Sequence, residues 1–145
     1  MELKIKRLKS GAVLPKRATA GSAGYDLCAC IDKDVQIFPD EIKKIPTGIA
    51  SGLSDENFVI LLYARSGLAA NFGLTLANCV GVVDSDYRGE IVVPLINLGK
   101  EIITISSGER IAQMVVAPVC LPTISEVDEI PETLRGDGGF GSTGK

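Results

Sequence analysis

The sequence predicts an all-β fold, and three observations lead there. Short runs rich in Val, Ile and Leu recur between turn residues, each about five residues long and roughly ten residues apart. Only one stretch carries helix signals. The 145 residues are 46% apolar, enough for one domain with a real core. Strands of this length and spacing make a β-sandwich or barrel.

The elements follow in order. Leu3 to Leu8 alternates polar and apolar residues, the period of a half-buried strand and not the apolar run of a signal peptide. Val35 to Phe38 is a strand bounded by Asp34 and Pro39. Ile42 to Ala50 contains Pro46 and Gly48, which predicts an edge strand or a bent one. Phe58 to Tyr63 is wholly apolar. Ser66 to Phe72 predicts two helical turns stopped by Gly73. Ile91 to Asn97, Ile102 to Ser106 and Ile111 to Val119 complete the strands. Asn78 to Glu90 reads as a β-hairpin with an acidic tip. Residues 1–134 then form one domain. Residues 135–145, with five glycines and a single aromatic, form a flexible C-terminal arm that cannot pack a core alone.

Charge and composition exclude several functions. Lys and Arg number 15 against 18 Asp and Glu, a net charge of −3, which argues against non-specific nucleic-acid binding. No segment is long and apolar enough to span a bilayer, so a cytoplasmic protein is expected. Four cysteines (Cys28, Cys30, Cys79, Cys120) form no C-x-x-C pair and fit reduced, mostly buried thiols better than a zinc site. The chain has no His. Acid–base chemistry therefore falls to carboxylates, Tyr or Lys.

Four segments carry candidate chemistry. Ala64-Arg-Ser-Gly-Leu68 opens the helix, where free N–H groups, Arg65 and Ser66 suit an anion; an ordinary Ser cap beside a solvated Arg is the other reading. In Asn78 to Glu90, Asp84 can deprotonate a water beside a phosphate and Tyr87 can offer a ring face to a sugar. The same residues also make an acidic turn. In Gly108-Glu-Arg-Ile-Ala-Gln113, Gln113 either reaches a ligand or lies on an exposed face. The tail mimics two unrelated motifs, Arg135-Gly-Asp137 and a GxxxxGK loop. The second lacks a preceding strand and a following helix. A glycine-rich flap fits it better, with backbone N–H groups for phosphate oxygens, Arg135 for charge and Phe140 for stacking on a base.

These segments, with Ala23-Gly-Tyr-Asp-Leu27 before them, stand in the order and spacing of a five-motif pattern. From about residue 21 to residue 144 the chain resembles the trimeric dUTP diphosphatase family. The resemblance implies a β jelly roll assembled as a threefold homotrimer with shared active sites, the arm crossing to a neighbour. It implies Mg²⁺-dependent hydrolysis of dUTP to dUMP and pyrophosphate, limiting uracil incorporation into DNA and supplying dUMP for thymidylate synthesis. Asp84 matches the base that activates water, and Tyr87 the ring beneath the deoxyribose. Asn78, Gly81, Val82, Val83 and Val92 match the segment that reads uracil. Arg65, Ser66, Gly67 and Gln113 match phosphate-binding positions; Arg135, Phe140, Gly141, Ser142 and Thr143 match the closing arm. Asp26 resembles the acid that meets Mg²⁺ through water, the ion being held mainly by the triphosphate.

Two other functions compete. A dCTP deaminase shares the expected fold and would release ammonia instead of pyrophosphate. A catalytically silent binding module would release neither, but Asp84, Arg65 and Arg135 are all intact.

Overall fold

The computed structural model describes residues 2–139. Among them ten strands and one helix follow in sequence. They are β1 (Leu3–Arg7), β2 (Tyr25–Cys28), β3 (Val35–Ile37), β4 (Ile42–Leu53), β5 (Phe58–Tyr63), α1 (Ser66–Phe72), β6 (Leu74–Leu76), β7 (Gly81–Val83), β8 (Glu90–Asn97), β9 (Ile103–Ile105) and β10 (Arg110–Pro118). They make two four-stranded antiparallel sheets, ordered β1-β4-β8-β6 and β2-β10-β5-β7, and a small β3-β9 pair.

Alternation builds the core. Along β8, Ile91, Val93, Leu95 and Asn97 are buried while Glu90, Val92, Pro94 and Ile96 are half-buried. The period of two sends the first row inward. There it packs with Leu27, Ile60, Leu62, Ile111 and Met114 of the other sheet. Each large apolar side chain removed from water contributes about 1.5–3 kcal/mol. Asn97 is the polar member of the row and is fully satisfied. Its Nδ2 donates to the carbonyls of Ile37 (2.9 Å) and Glu101 (2.8 Å), and its Oδ1 accepts from Gly99 N–H (2.9 Å).

The helix ends as its sequence predicts. Gly73 adopts φ 72°, and its N–H bonds back to the carbonyls of Ala69 and Leu68.

One open alternative is decided and two expectations need correcting. The segment from Ile42 is bent, but it is not an edge strand: β4 lies between β1 and β8. The two neighbours cover different halves of it. β1 pairs with Ile49 to Leu53 and β8 mainly with Ile42 to Pro46, so the missing N–H of Pro46 interrupts no second ladder. Gly48 sits at the bend with φ 68°, where an added Cβ would lie 2.7 Å from Cys30 Sγ.

Next, Asn78 to Glu90 is not a hairpin. β7 pairs with β5, whereas β8 pairs with β4 and β6, so the two strands diverge into different sheets. Residues 84–89 are too long a connection to enforce the tight two-residue turn that would zip them together. Finally, β2 and β6 are strands that the apolar pattern did not reveal. With four and three residues they are too short to show a period, and only their cross-strand partners define them.

Beyond β10 the described chain, residues 119–139, forms no strand or helix, and Leu121, Ile124, Val127, Ile130 and Leu134 are exposed. No helix among the described residues is long and apolar enough to cross a membrane.

Candidate active site

The divergence of β7 from β8 opens a cleft of 280 Å³. Its lining includes seven residues singled out from the sequence: Asn78, Gly81, Val82, Val83, Asp84, Tyr87 and Val92. The cleft lies between two strand edges. β7 is the outer strand of its sheet, and on this side β8 has a strand partner only from Leu95 to Asn97. Backbone donors and acceptors are thus left over at the cleft, as on any open strand edge. Gly81 lies tight against the floor, where an added Cβ would be 3.0 Å from Leu62 Cβ.

The connection carrying Asp84 and Tyr87 is pinned at several points. Tyr87 N–H donates to the Asp84 carbonyl (3.2 Å). Tyr87 Oη donates to the Glu90 carbonyl (3.1 Å). The ring lies close against Gly89: a Cβ there would be 2.3 Å from Oη. Arg88 donates to the carbonyls of Ser85 (2.7 Å) and Tyr87 (2.9 Å). Glu90 accepts from Gly48 N–H (2.7 Å), fastening the end of the connection to β4. Asp84 itself is exposed at the mouth.

A second cluster forms where β2, β10 and the entry to α1 meet. Arg65 Nε donates to Asp26 Oδ1 (3.2 Å), and Arg65 Nη1 donates to the Arg110 carbonyl (3.2 Å). Arg110 Nη1 donates to Asp26 Oδ2 (3.1 Å). Two guanidiniums share one carboxylate, so the cluster keeps a net positive charge and suits an anion. Arg65 is therefore not the solvated residue of the alternative reading. Ser66 is not the helix cap, because Arg65 occupies that position and no side-chain capping bond forms. Ser66 and Gly67 are exposed in the first turn.

Gln113 is half-buried and donates to the Ala64 carbonyl (3.0 Å), which ties β10 to the residue before Arg65. Its Oε1 occupies space that only a glycine at position 24 leaves free, since a Cβ there would lie 2.3 Å away. Beneath the cluster, burial pushes the Cys28 thiol pKa up and the Asp26 charge adds to it, against smaller opposing effects of Arg110 and Arg65.

Cleft and cluster do not meet within the described chain. Arg65 and Arg110 line a separate cavity of 590 Å³ with Leu68 and Phe72. Arg135 lines neither; it is exposed and its Nε donates to the Gly138 carbonyl (2.9 Å). Phe140, Gly141, Ser142 and Thr143 lie outside the described residues. Arg88 and Arg110 carry no assignment from the sequence, although both stand inside the motif segments. What distinguishes them, a carbonyl clamp and a contact to Asp26, exists only in the folded chain.

An all-β sandwich with a cleft between diverging strands, and an arginine–carboxylate cluster formed by two strands and the start of a helix, defines an all-β protein with a site suited to an anion. Comparison with known proteins narrows the class. The dUTPase family model matches residues 11–144, and the chain belongs to that family. It is 53% identical over 131 residues to a deoxyuridine 5'-triphosphate nucleotidohydrolase of Desulfitobacterium hafniense, covering 90% of this chain and 87% of that protein. A protein of the same name from Hahella chejuensis is 50% identical over 139 residues, covering 96% and 91%. Among solved structures, a single-substitution mutant of the Staphylococcus bacteriophage 80alpha dUTPase with dUpNHpp superimposes with a TM-score of 0.88 at 28% identity, over 99% of both chains. A mutant dUTPase from phage phi11 of S. aureus, described for the coordination of a structural Mg(II) ion, gives a TM-score of 0.80 at 25% identity, over 91% of this chain and 100% of that one.

Proposed function

We propose that the chain hydrolyses dUTP to dUMP and pyrophosphate, limiting uracil incorporation into DNA and supplying dUMP. One observation carries the site assignment: seven residues nominated between Asn78 and Val92 line one cleft. In this reading the backbone edges at Gly81 to Val83 and at Val92, with Asn78, pair with the uracil. Cytosine would leave buried groups unpaired there and is rejected. The Tyr87 ring lies under the deoxyribose and leaves no room for a 2′-hydroxyl. Asp84 accepts a proton from a water that attacks the α-phosphorus, and the bond to the bridging oxygen breaks as pyrophosphate leaves. Arg65, Ser66, Gly67 and Gln113 hold the phosphates, where negative charge builds. Arg135, Phe140, Gly141, Ser142 and Thr143 close over the nucleotide as an arm of residues 135–145 beyond a domain of residues 1–134.

The donor set suits Mg²⁺ carried by the substrate. Among the described residues no three His, Cys, Asp or Glu side chains group to hold a metal ion. Asp26 is the acid bonded to both arginines, and its oxygens already accept from them, so a water-mediated contact fits better than direct ligation. When bound to the triphosphate, the ion neutralises phosphate charge.

The cleft and the arginine cluster line separate cavities within one chain. That separation supports a homotrimer in which one subunit's cleft is completed by a neighbour's cluster. Four free thiols, two of them buried, suit a reducing cytoplasm. The deciding experiment is a panel of deoxynucleoside and ribonucleoside triphosphates with Mg²⁺, scored for pyrophosphate and for ammonia. Pyrophosphate from dUTP alone is expected. Ammonia from dCTP would indicate the deaminase, and no product from any nucleotide would indicate a silent binding module.

A further inference from the structure

The β10 ladder contains a device that the assigned residues do not explain. Arg110 stands opposite Cys28, Ala112 opposite Leu27 and Gln113 opposite Asp26, so Ile111 is one residue too many. Side chains alternate faces along a strand, and an extra residue reverses the alternation beyond it. In a regular ladder Ile111 would face Cys28, and Arg110 would face Ala29, on the side of Leu27. Leu27 and Ala29 are both 1% exposed and belong to the core. The bulge instead puts Arg110 on the face of Asp26 and Cys28. There its guanidinium meets Asp26 at 3.1 Å, while its carbonyl accepts from Arg65 at 3.2 Å.

We propose that Arg110 is a positioning residue for the triphosphate site, acting on Arg65 through Asp26. This rests on the reading of Arg65 as a phosphate ligand. Arg65 bonds through Nε to Asp26 and through one Nη1 hydrogen to the Arg110 carbonyl, which fixes the plane of its guanidinium. A guanidinium has five N–H donors, so three remain for phosphate oxygens. Asp26 can orient Arg65 only if Asp26 is itself held, and Arg110 holds its second oxygen. Without that contact the carboxylate is free to turn, and Arg65 meets the phosphates from a spread of orientations instead of one.

The test uses the full chain, with Arg110→Met, Arg110→Lys, Arg65→Lys and the Arg110→Met/Arg65→Lys double variant. Steady-state hydrolysis of dUTP is measured alongside calorimetric binding of dUpNHpp and of dUMP, which lacks the β- and γ-phosphates. For Arg110→Met, KM for dUTP and the Kd for dUpNHpp should each rise about ten-fold, with dUMP binding unchanged. Arg110→Lys keeps one charged donor to Asp26 and should recover most of the loss. In the Arg65→Lys background, Arg110→Met should cost less than about two-fold more, because both changes disable the same contact. Three results would overturn the inference: unchanged dUpNHpp binding, equal weakening of dUMP, or losses that multiply in the double variant. If Arg110→Met does not fold, Arg110→Gln, which removes the charge beside Asp26 but keeps a polar side chain, decides on the same readouts. A wild-type protein that releases no pyrophosphate from dUTP refutes the underlying function instead.

Discussion

Gly89→Ala tests whether the Tyr87 ring sets sugar selectivity while leaving Tyr87 itself in place. A Cβ at position 89 would lie 2.3 Å from Tyr87 Oη, 2.5 Å from Cζ and 3.0 Å from Cε2. Non-bonded carbon and oxygen approach to roughly 3.3–3.6 Å, so the phenol end must retreat by about 1 Å. Tyr87 is 45% exposed and therefore free to swing aside. That movement breaks the bond from Oη to the Glu90 carbonyl, a loss of about 1 kcal/mol. Gly89 is not among the glycines at positive φ, so alanine adds no backbone strain there. The expected stability loss is therefore small, with Tm lower by about 3 °C.

The effect on selectivity should be larger. A displacement of about 1 Å at a positioning group costs up to about 100-fold in turnover. A ring that has moved off the sugar no longer excludes a 2′-hydroxyl, a discrimination on the order of 1–3 kcal/mol or about 5–150-fold. The assay is kcat/KM for dUTP and for UTP on wild type, Gly89→Ala and Tyr87→Ala. Both variants should shift the dUTP-to-UTP ratio in the same direction, Tyr87→Ala further. An unchanged ratio in Gly89→Ala, at a Tm within a few degrees of wild type, would refute the steric argument.

Three further outcomes are expected. Asp84→Asn should bind dUpNHpp like wild type and lose on the order of 10²–10⁴ in turnover, because the amide cannot accept the water's proton; turnover near wild type would remove Asp84 from the role of base. Light scattering of the dilute protein should report three times the 15.3 kDa chain mass, and a stable, active monomer would end the shared-site reading. Deleting residues 135–145 should abolish dUTP turnover and leave Tm and oligomeric state nearly unchanged, since Arg135 lines neither cavity and bonds only locally. Normal turnover or failure to fold would count against a closing arm.

What the sequence determined by itself were the local quantities. Alternation and turn residues located eight of the elements, because strands such as Phe58 to Tyr63 and a helix stopped by Gly73 express their own preference over six or more residues. Motif order supplied the family, since it depends on spacing along the chain and not on the fold. Tertiary structure decided everything that depends on which strands become neighbours. It split Asn78 to Glu90 between two sheets, because β5 and β4 each claimed one side, and the gap between them became the cleft. It placed β4 inside its sheet despite Pro46, because its two neighbours overlap different halves. It brought Asp26, Arg65 and Arg110 together across separations of 39, 45 and 84 residues, which no local pattern encodes. A single inserted residue at Ile111 reversed the face of Arg110, and that reversal is visible only in the register against β2. Periodicity assigns a side chain to a face only while the ladder stays regular, and a bulge is read from the partner strand.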